Sequence, residues 1–245
     1  LTSATLSTNN NFDFIRSRLG IKECKELLLG SPFNYKENVL LYLVKKVADP
    51  SDDFEEFQKQ VLSHIKELID IMQGRTFILF TSYKMLKTIY DELKLNYQGI
   101  NLLKQGDQPR YDLLGNFKRN MNSVLLGTNT FWQGVDVPGK ALECVVITKL
   151  PFSVPDDPMT EARMELIESR NGNAFLEYQV PQAIMMFKQG FGRLIRTKSD
   201  RGIVAVLDPR VTTRTYGKSF LNVLPKCKYT SDINDVKSFF NVKTN

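Results

Sequence analysis

The sequence predicts an α/β fold in which a parallel sheet is flanked by helices. Short apolar segments rich in Val, Ile, Leu and Phe recur along the 245 residues, and segments with helical spacing separate them. Strands that alternate with helices in this way are usually parallel, because each crossover helix returns the chain to the same end of the sheet. The apolar segments are typical of strands that helices cover on both faces.

Six segments are predicted to be strands and six to be helices. The strands are Val39 to Val47, Thr76 to Phe80, Ile100 to Lys104, Ser123 to Gly127, Cys144 to Thr148 and Gly202 to Asp208. The helices are Asp53 to Met72, Met85 to Leu95, Pro109 to just before Asn122, Thr160 to about Ser169, Pro181 to Arg196 and Thr215 to Leu224. The first helix has the clearest periodicity of apolar side chains.

Charge and composition narrow the range of functions. The chain has 33 basic and 27 acidic residues, a net charge of +6 and a pI near 9.1, which favours a polyanionic partner such as nucleic acid. The excess is modest, and many basic proteins bind no nucleic acid. No apolar run approaches the roughly 18 residues of a membrane span, so we expect no membrane partner.

The three cysteines, Cys24, Cys144 and Cys227, lie far apart in the sequence and are odd in number. They form no disulfide framework and have neither zinc nor iron–sulfur spacing. Cytoplasmic residence follows as the default expectation. No metal site is predicted in this chain.

The run Gln189-Gly190-Phe191-Gly192-Arg193-Leu194-Ile195-Arg196 is the most informative motif. Two arginines three residues apart are predicted to share one face of a helix. The guanidinium group is permanently charged, and its planar fork of donors fits phosphate oxygens. A simpler interpretation is a basic helix end that neutralises the helix dipole.

Four motifs in order resemble those of superfamily 2 helicases. LTSATL at the start, FTS at Phe80, FWQGVDVPG from Phe131 and QGFGRLIR from Gln189 look like motifs III, IV, V and VI of that superfamily. GDQPRY from Gly106, KLPF from Lys149 and the tail around Asp208-Pro209-Arg210 and Tyr216-Gly217-Lys218 resemble the DinG-like members of its XPD/DinG branch. The resemblance runs from Leu1 to about Pro225.

The resemblance implies a RecA-like parallel sheet, the second of two helicase motor domains. Residues 1–30 would hold motif III and the crossover from the first motor domain, and residues 31–245 would form the second. The chain contains neither a GxxxxGK[ST] phosphate loop nor a DEAH-type acidic box. We therefore expect a fragment of a longer protein, whose upstream domain holds the phosphate loop and the Mg²⁺ ligands for ATP. Relatives in this branch often carry an iron–sulfur cluster in the first motor domain, and its presence here stays open.

By resemblance, Arg193 and Arg196 would face the γ-phosphate of ATP, with Arg193 the stronger candidate. Gln189 would place the nucleotide or the arginines, with Gly192 in the same motif. Asp136 would accept a hydrogen bond near the ribose or fix an arginine, and Gly134 would let the backbone approach the nucleotide. Taken without the neighbouring motifs, Gly134-Val135-Asp136 is more typical of a plain loop with an Asx turn.

Nucleic-acid contacts are expected at small polar residues at strand ends: Thr81, Ser82, Thr128, Asn129 and Thr130. Trp132 is predicted either to stack on a base or to pack in the core. Ser3-Ala4-Thr5 would transmit domain closure between the ATP and DNA sites, although a helix N-cap also fits Thr2 or Ser3.

The leading functional hypothesis is an ATP-dependent DNA helicase that moves along single-stranded DNA, with a 5′ to 3′ polarity implied by the family. The alternative is the regulatory ATP- and DNA-binding part of a DinG-like 3′ to 5′ exonuclease without robust helicase activity. A third hypothesis is a non-catalytic DNA-binding module, which would bind DNA independently of ATP.

Overall fold

One parallel sheet organises the part of the chain that the computed structural model describes, residues 6–7, 11–153 and 158–241. Its strands are β1 (Val39–Leu43), β2 (Thr76–Leu79), β3 (Asn101–Lys104), β4 (Ser123–Gly127), β5 (Cys144–Ile147), β6 (Gly202–Val206) and β7 (Lys228–Thr230). They lie in the order β3-β4-β2-β5-β6-β1-β7, and every pairing is parallel. The predicted α/β fold is confirmed.

Helices connect these strands. They are α1 (Asp13–Leu19), α2 (Tyr35–Asn38), α3 (Phe54–Met72), α4 (Tyr83–Asn96), α5 (Arg110–Arg119), α6 (Asn129–Trp132), α7 (Pro158–Glu168), α8 (Val180–Phe191), α9 (Arg210–Thr213), α10 (Gly217–Asn222) and α11 (Ile233–Asn241). A π-helical turn, Phe175–Gln179, leads directly into α8. The six predicted strands and six predicted helices are all present, with ends that shift by a few residues.

The sheet has a hydrophobic core on each face. Alternate residues of a strand enter opposite cores, so Phe77 and Leu79 of β2 join one core while Ile78 and Phe80 join the other. The first core is closed by helices that include α5, α8 and α10, and the second by α3, α4 and α11. This two-sided burial explains why the strands are continuous apolar runs.

One helix boundary differs from the prediction. The helix was expected to continue from Pro181 to Arg196, but α8 ends at Phe191, with Gly192 as its C-cap. The carboxylate of Asp200 instead accepts the backbone N–H groups of Arg196 at 2.7 Å and of Thr197 at 2.8 Å. Both motif arginines therefore lie in the loop between α8 and β6, not on a helix face.

The N-terminal region is described only in part. Ser3, Ala4 and Thr5 lie outside the described residues, and the boundary after residue 30 stays a prediction. Among the described residues, α1 buries none of its side chains. In the same part of the chain, no helix combines the length and apolar character needed to cross a membrane.

Candidate functional site

Two arginines after α8 hold the loop that follows α6. Arg193 donates from Nε to the carbonyl oxygen of Trp132 at 2.9 Å and from Nη1 to that of Val135 at 2.6 Å. Arg196 donates from Nη2 to the same Val135 oxygen at 3.0 Å, and its Nε lies 3.3 Å from a carboxylate oxygen of Asp136. The QGFGRLIR and FWQGVDVPG motifs are thus in direct contact.

A third arginine comes from α5. Arg110 donates from Nη2 to the carbonyl oxygen of Gln133 at 2.5 Å, and its guanidinium lies 5.3 Å from the centroid of the Phe131 ring. We call Arg110, Arg193 and Arg196, with the loop 132–136, the arginine cluster. The sequence analysis did not place Arg110 here, because α5 is distant from both motifs in sequence.

The arginine cluster carries an excess of positive charge. Burial is the main cause that lowers the pKa of Arg193 to about 10, and repulsion by Arg196 and Arg110 adds to it. Asp136 acts in the opposite direction, but its side chain is 72% exposed. Arg193 stays charged at neutral pH, so three cations surround the loop, and Arg196 is the one paired with the Asp136 carboxylate.

The two motif arginines differ in exposure. Arg193 is 8% exposed, whereas the side chain of Arg196 is 32% exposed. Each arginine has two guanidinium nitrogens in contact with the loop 132–136, so the difference between them lies in their exposure. Arg196 therefore has the more accessible guanidinium.

Trp132 belongs to the core. Its side chain is fully buried, and its Nε1 donates to the carbonyl oxygen of Phe80 at 2.9 Å. A Cβ atom at Gly190 would lie 2.9 Å from the indole ring, so glycine there lets α8 approach the tryptophan. Of the two predicted roles, the structure supports core packing. A fully buried ring has no free face on which a base can stack.

The remaining residues of these motifs lie around the same loop. Gly134 has a φ of +63°, and a Cβ there would lie 3.1 Å from the Arg110 guanidinium. Gln189 is half-buried near the end of α8, and Gly192 ends that helix. Asp200, which the sequence analysis missed, accepts from the backbone N–H of Gly139 at 3.2 Å and so joins the arginine-bearing loop to the segment before β5.

A second group of polar residues lies where β3, β4 and β2 end. Because these strands are parallel neighbours, their carboxyl ends share one edge of the sheet. Thr81-Ser82 follows β2, Gln105 follows β3, and Thr128-Asn129-Thr130 follows β4. We call these residues the carboxyl-edge cluster. Five of the six predicted nucleic-acid residues are thereby brought to one edge, while the sixth, Trp132, is buried in the core.

Gln105 connects the carboxyl-edge cluster. Its Oε1 accepts from the backbone N–H of Thr128 at 2.7 Å and from the hydroxyl of Thr128 at 3.0 Å. Its Nε2 donates to the hydroxyl of Thr130 at 3.2 Å. The sequence analysis did not assign Gln105, since a side-chain amide after a strand carries no local signal.

The other members differ in what their side chains do. Ser82 is the N-cap of α4, and its hydroxyl accepts from the backbone N–H of Met85 at 3.3 Å. Thr81 and Thr128 are half-buried, while Asn129 and Thr130 are exposed. The edge therefore presents hydroxyl and amide groups to solvent.

The described residues offer no ligand set for a metal or an iron–sulfur cluster. No group of three or more His, Cys, Asp or Glu side chains comes together there. Cys24 is exposed and Cys144 is buried, and burial raises the pKa of Cys144 to about 12 and that of Cys227 to about 11.

The comparisons with known proteins agree with this architecture. The family model described as the helicase C-terminal domain matches residues 65–227, more than half of the chain. The chain is 40% identical over 232 residues to the ATP-dependent DNA helicase YoaA of Escherichia coli strain K12, covering 95% of this chain and 36% of the relative. It is 39% identical over 233 residues to the 3′-5′ exonuclease DinG of Bacillus subtilis strain 168, covering 92% of this chain and 25% of the relative.

A solved structure of apo XPD has a similar fold. It is 16% identical, with a TM-score of 0.65 over 89% of this chain and 46% of that one. This likeness supports the RecA-like architecture and nothing finer. The chain spans between a quarter and two fifths of the length of the curated relatives it matches. With the family model, these relatives show that the chain belongs to the helicase C-terminal domain family, in its XPD/DinG-like branch.

Proposed function

We propose that this chain is the second motor domain of an ATP-dependent DNA helicase, and that ATP binds between it and an upstream first motor domain. The observation that carries the proposal is the convergence of Arg110, Arg193 and Arg196 on one loop. Three guanidinium groups lie at this loop, and Arg196 is the one paired with the carboxylate of Asp136, which leaves a surplus of positive charge. A polyphosphate has the opposite charge and the acceptor geometry that guanidinium groups bind.

The three guanidinium groups can bind the phosphates of ATP, but they do not make up a whole nucleotide-binding site. The 245 residues contain no GxxxxGK[ST] sequence, so the phosphate loop and the Mg²⁺ ligands would lie in the upstream domain. ATP bound there supplies the free energy of hydrolysis, and this chain supplies cations to the charge that develops on the γ-phosphate.

The geometry divides the arginines by role. Arg196 is the more accessible, and we assign it direct contact with the γ-phosphate; the sequence had favoured Arg193. Arg193 holds the loop 132–136 through two backbone carbonyls, and contact with phosphate would require it to exchange one of them. Asp136 orients Arg196 through their 3.3 Å ion pair, while Gln189, Gly134 and Gly192 shape the approach.

The carboxyl-edge cluster would bind the backbone of single-stranded DNA. Hydroxyl and amide groups from Thr81, Ser82, Asn129 and Thr130 can donate to phosphate oxygens without reading base identity. Thr128 would do so by exchanging the hydrogen bond that its hydroxyl donates to Gln105. The net charge of +6 favours the same partner. Ser3, Ala4 and Thr5 keep their proposed coupling role on the resemblance alone.

The test is ATP hydrolysis by the full-length natural protein, with and without single-stranded DNA, for wild type and Arg196→Ala. We expect DNA-stimulated hydrolysis that falls roughly 10³-fold or more in the variant, as for other arginine fingers. Arg214→Ala is the matched control, because Arg214 is an exposed arginine paired with Asp49 elsewhere. Wild type without ATP turnover in the presence of DNA would overturn the motor proposal.

A second candidate function follows from the Bacillus subtilis relative, which is named a 3′-5′ exonuclease and is 39% identical over 92% of this chain. In such a protein this domain would regulate cleavage by a nuclease domain elsewhere in the chain. The distinguishing assay gives the full-length protein and ATP a partial duplex with a single-stranded tail, one strand of which is labelled at its 5′ end. Stepwise shortening of the labelled strand supports this candidate, and strand separation without shortening supports the helicase.

A further inference from the structure

With Trp132 buried, the carboxyl-edge cluster needs another aromatic side chain if it is to hold bases as well as phosphates. Tyr83 occupies the first position of α4, directly after Thr81 and Ser82, and it is 49% exposed. A half-exposed ring beside proposed phosphate contacts has the position of a stacking residue in single-strand binding sites. The inference below deepens the proposed DNA-binding function and rests on it.

Tyr83 is fixed to the rest of the cluster on its hydroxyl side. The hydroxyl donates to the backbone carbonyl of Gln105 at 3.4 Å. Gly106 allows this approach, because a Cβ there would lie 3.1 Å from the tyrosine oxygen and the residue has a φ of +99°. The ring therefore contacts the same loop whose glutamine side chain holds Thr128 and Thr130.

Lys104, the last residue of β3, places its ammonium group near the ring of Tyr83. The ammonium of Lys104 lies 5.9 Å from the centroid of the Tyr83 ring and 2.6 Å from a carboxylate oxygen of Asp107. The hydroxyl contact and the cation restrict the rotamers of Tyr83 before any ligand arrives. A side chain held in this way loses little conformational entropy on binding, which favours affinity.

We propose that Tyr83 stacks on a base of single-stranded DNA whose phosphates contact the hydroxyls of the carboxyl-edge cluster. Gln105 acts as the positioning residue, since its backbone carbonyl anchors Tyr83 and its side chain anchors Thr128 and Thr130. The ligand class is single-stranded nucleic acid of any sequence, because every base offers a face for stacking. The strand would cross the ends of β3, β4 and β2.

The experiment compares two ligands, oligothymidine and an abasic oligonucleotide of the same length, bound to the full-length protein without nucleotide. Affinity is measured by fluorescence anisotropy for wild type, Tyr83→Leu and Tyr83→Phe. We expect Tyr83→Leu to weaken oligothymidine binding about 5- to 100-fold and to leave abasic binding within about twofold, because the stacking contribution requires a base. Tyr83→Phe keeps the ring and is expected to retain most of the affinity.

The matched control is Tyr229→Leu. Tyr229 is 76% exposed but lies on β7, the strand at the opposite edge of the sheet. The Tyr229→Leu variant should bind oligothymidine and the abasic oligonucleotide with wild-type affinity. Thermal unfolding of each variant shows whether any loss comes from misfolding.

Two results would overturn the inference while leaving the motor proposal intact. One is a Tyr83→Leu variant that keeps DNA-stimulated ATP hydrolysis and binds oligothymidine with unchanged affinity. The other is an equal loss for oligothymidine and abasic ligand, which would make Tyr83 a backbone contact or a structural residue. Wild type that binds neither ligand would overturn both the inference and the proposed DNA binding.

Discussion

The arginine cluster and the carboxyl-edge cluster share the chain segment that follows β4 but differ in exposure and in how firmly their side chains are held. Both follow β4, since Thr128-Asn129-Thr130 leads through α6 into the loop 132–136. In the arginine cluster, Arg193 is 8% exposed and bound to two carbonyls. In the carboxyl-edge cluster, Asn129 and Thr130 are exposed, and Thr130 is held by one side-chain contact.

This difference matches what each ligand requires. Charge that develops during phosphoryl transfer is best stabilised by groups that are fixed before the reaction, because reorganisation then costs little. A single strand of DNA is flexible and changes its position as a motor moves, so its site can consist of accessible hydroxyls and one anchored ring. We infer that the arginine cluster, whose loop is held by the two contacts of Arg193, serves catalysis and that the exposed edge serves binding.

The largest expected effect tests whether ATP turnover needs the planar guanidinium donors of Arg196 as well as its positive charge. Arg196→Lys keeps the cation but loses the planar pair of donors, one of which binds the Val135 carbonyl. We expect ATP turnover at saturating DNA to fall roughly 10³-fold, the lower range for an arginine finger. Steady-state kinetics measure it, and near-normal turnover would show that Arg196 acts only as a general positive charge.

The next effect tests the placement of Trp132 in the core. Trp132→Phe removes the donor to the Phe80 carbonyl and leaves a small void beside Gly190. We expect the free energy of unfolding to fall by about 2 kcal/mol, from the unsatisfied carbonyl and lost packing. Urea denaturation measures it. A change in the affinity ratio between oligothymidine and abasic DNA, at unchanged stability, would return Trp132 to a stacking role.

The fold was predictable because its signals are local. The apolar runs of β2, β4 and β5 and the helical spacing in α3 are set by burial on the faces of the sheet, and each is readable within a short window. The strand β7 was missed because two of its three residues are exposed. It joins the sheet through backbone pairing with β1, which leaves no apolar pattern.

The sites were predictable as motifs but not as geometry. Arg193 and Arg196 were identified but were expected on a helix. In the structure α8 ends before both of them, and the Asp200 carboxylate accepts the backbone N–H groups of Arg196 and Thr197. Arg110 belongs to the GDQPRY motif, but neither it nor Gln105 could be placed from the sequence, because their contacts to Gln133 and Thr128 span 23 residues each. The same holds for the burial of Trp132.

A smaller effect is expected at Gln105. Gln105→Ala removes the contacts to the hydroxyls of Thr128 and Thr130 but keeps the backbone carbonyl that anchors Tyr83. We expect the affinity for oligothymidine and for abasic DNA to fall together by about fivefold, the equivalent of one net hydrogen bond. Anisotropy titration of both ligands measures this. A loss restricted to oligothymidine would move Gln105 from phosphate positioning to base contact.

The smallest effect is expected at Tyr111, the other exposed tyrosine near this edge. It lies in the first turn of α5 and is 87% exposed. Because so exposed a ring must be ordered on binding, it contributes less than an anchored one. We expect Tyr111→Leu to weaken oligothymidine binding by about twofold or less. A loss larger than that of Tyr83→Leu, in the same titration, would place the main stacking position on α5.

The most direct test of the division between the two clusters measures ATP turnover against DNA concentration for Arg196→Ala and Tyr83→Leu in the full-length protein. The account predicts that Arg196→Ala mainly lowers the plateau, while Tyr83→Leu mainly raises the DNA concentration for half-maximal stimulation. The controls Arg214→Ala and Tyr229→Leu should follow the wild-type curve. The claim that the arginine cluster serves hydrolysis and the carboxyl-edge cluster serves DNA binding would be contradicted if the two variants showed the reverse effects. It would also be contradicted if both variants changed the plateau and the half-maximal DNA concentration equally.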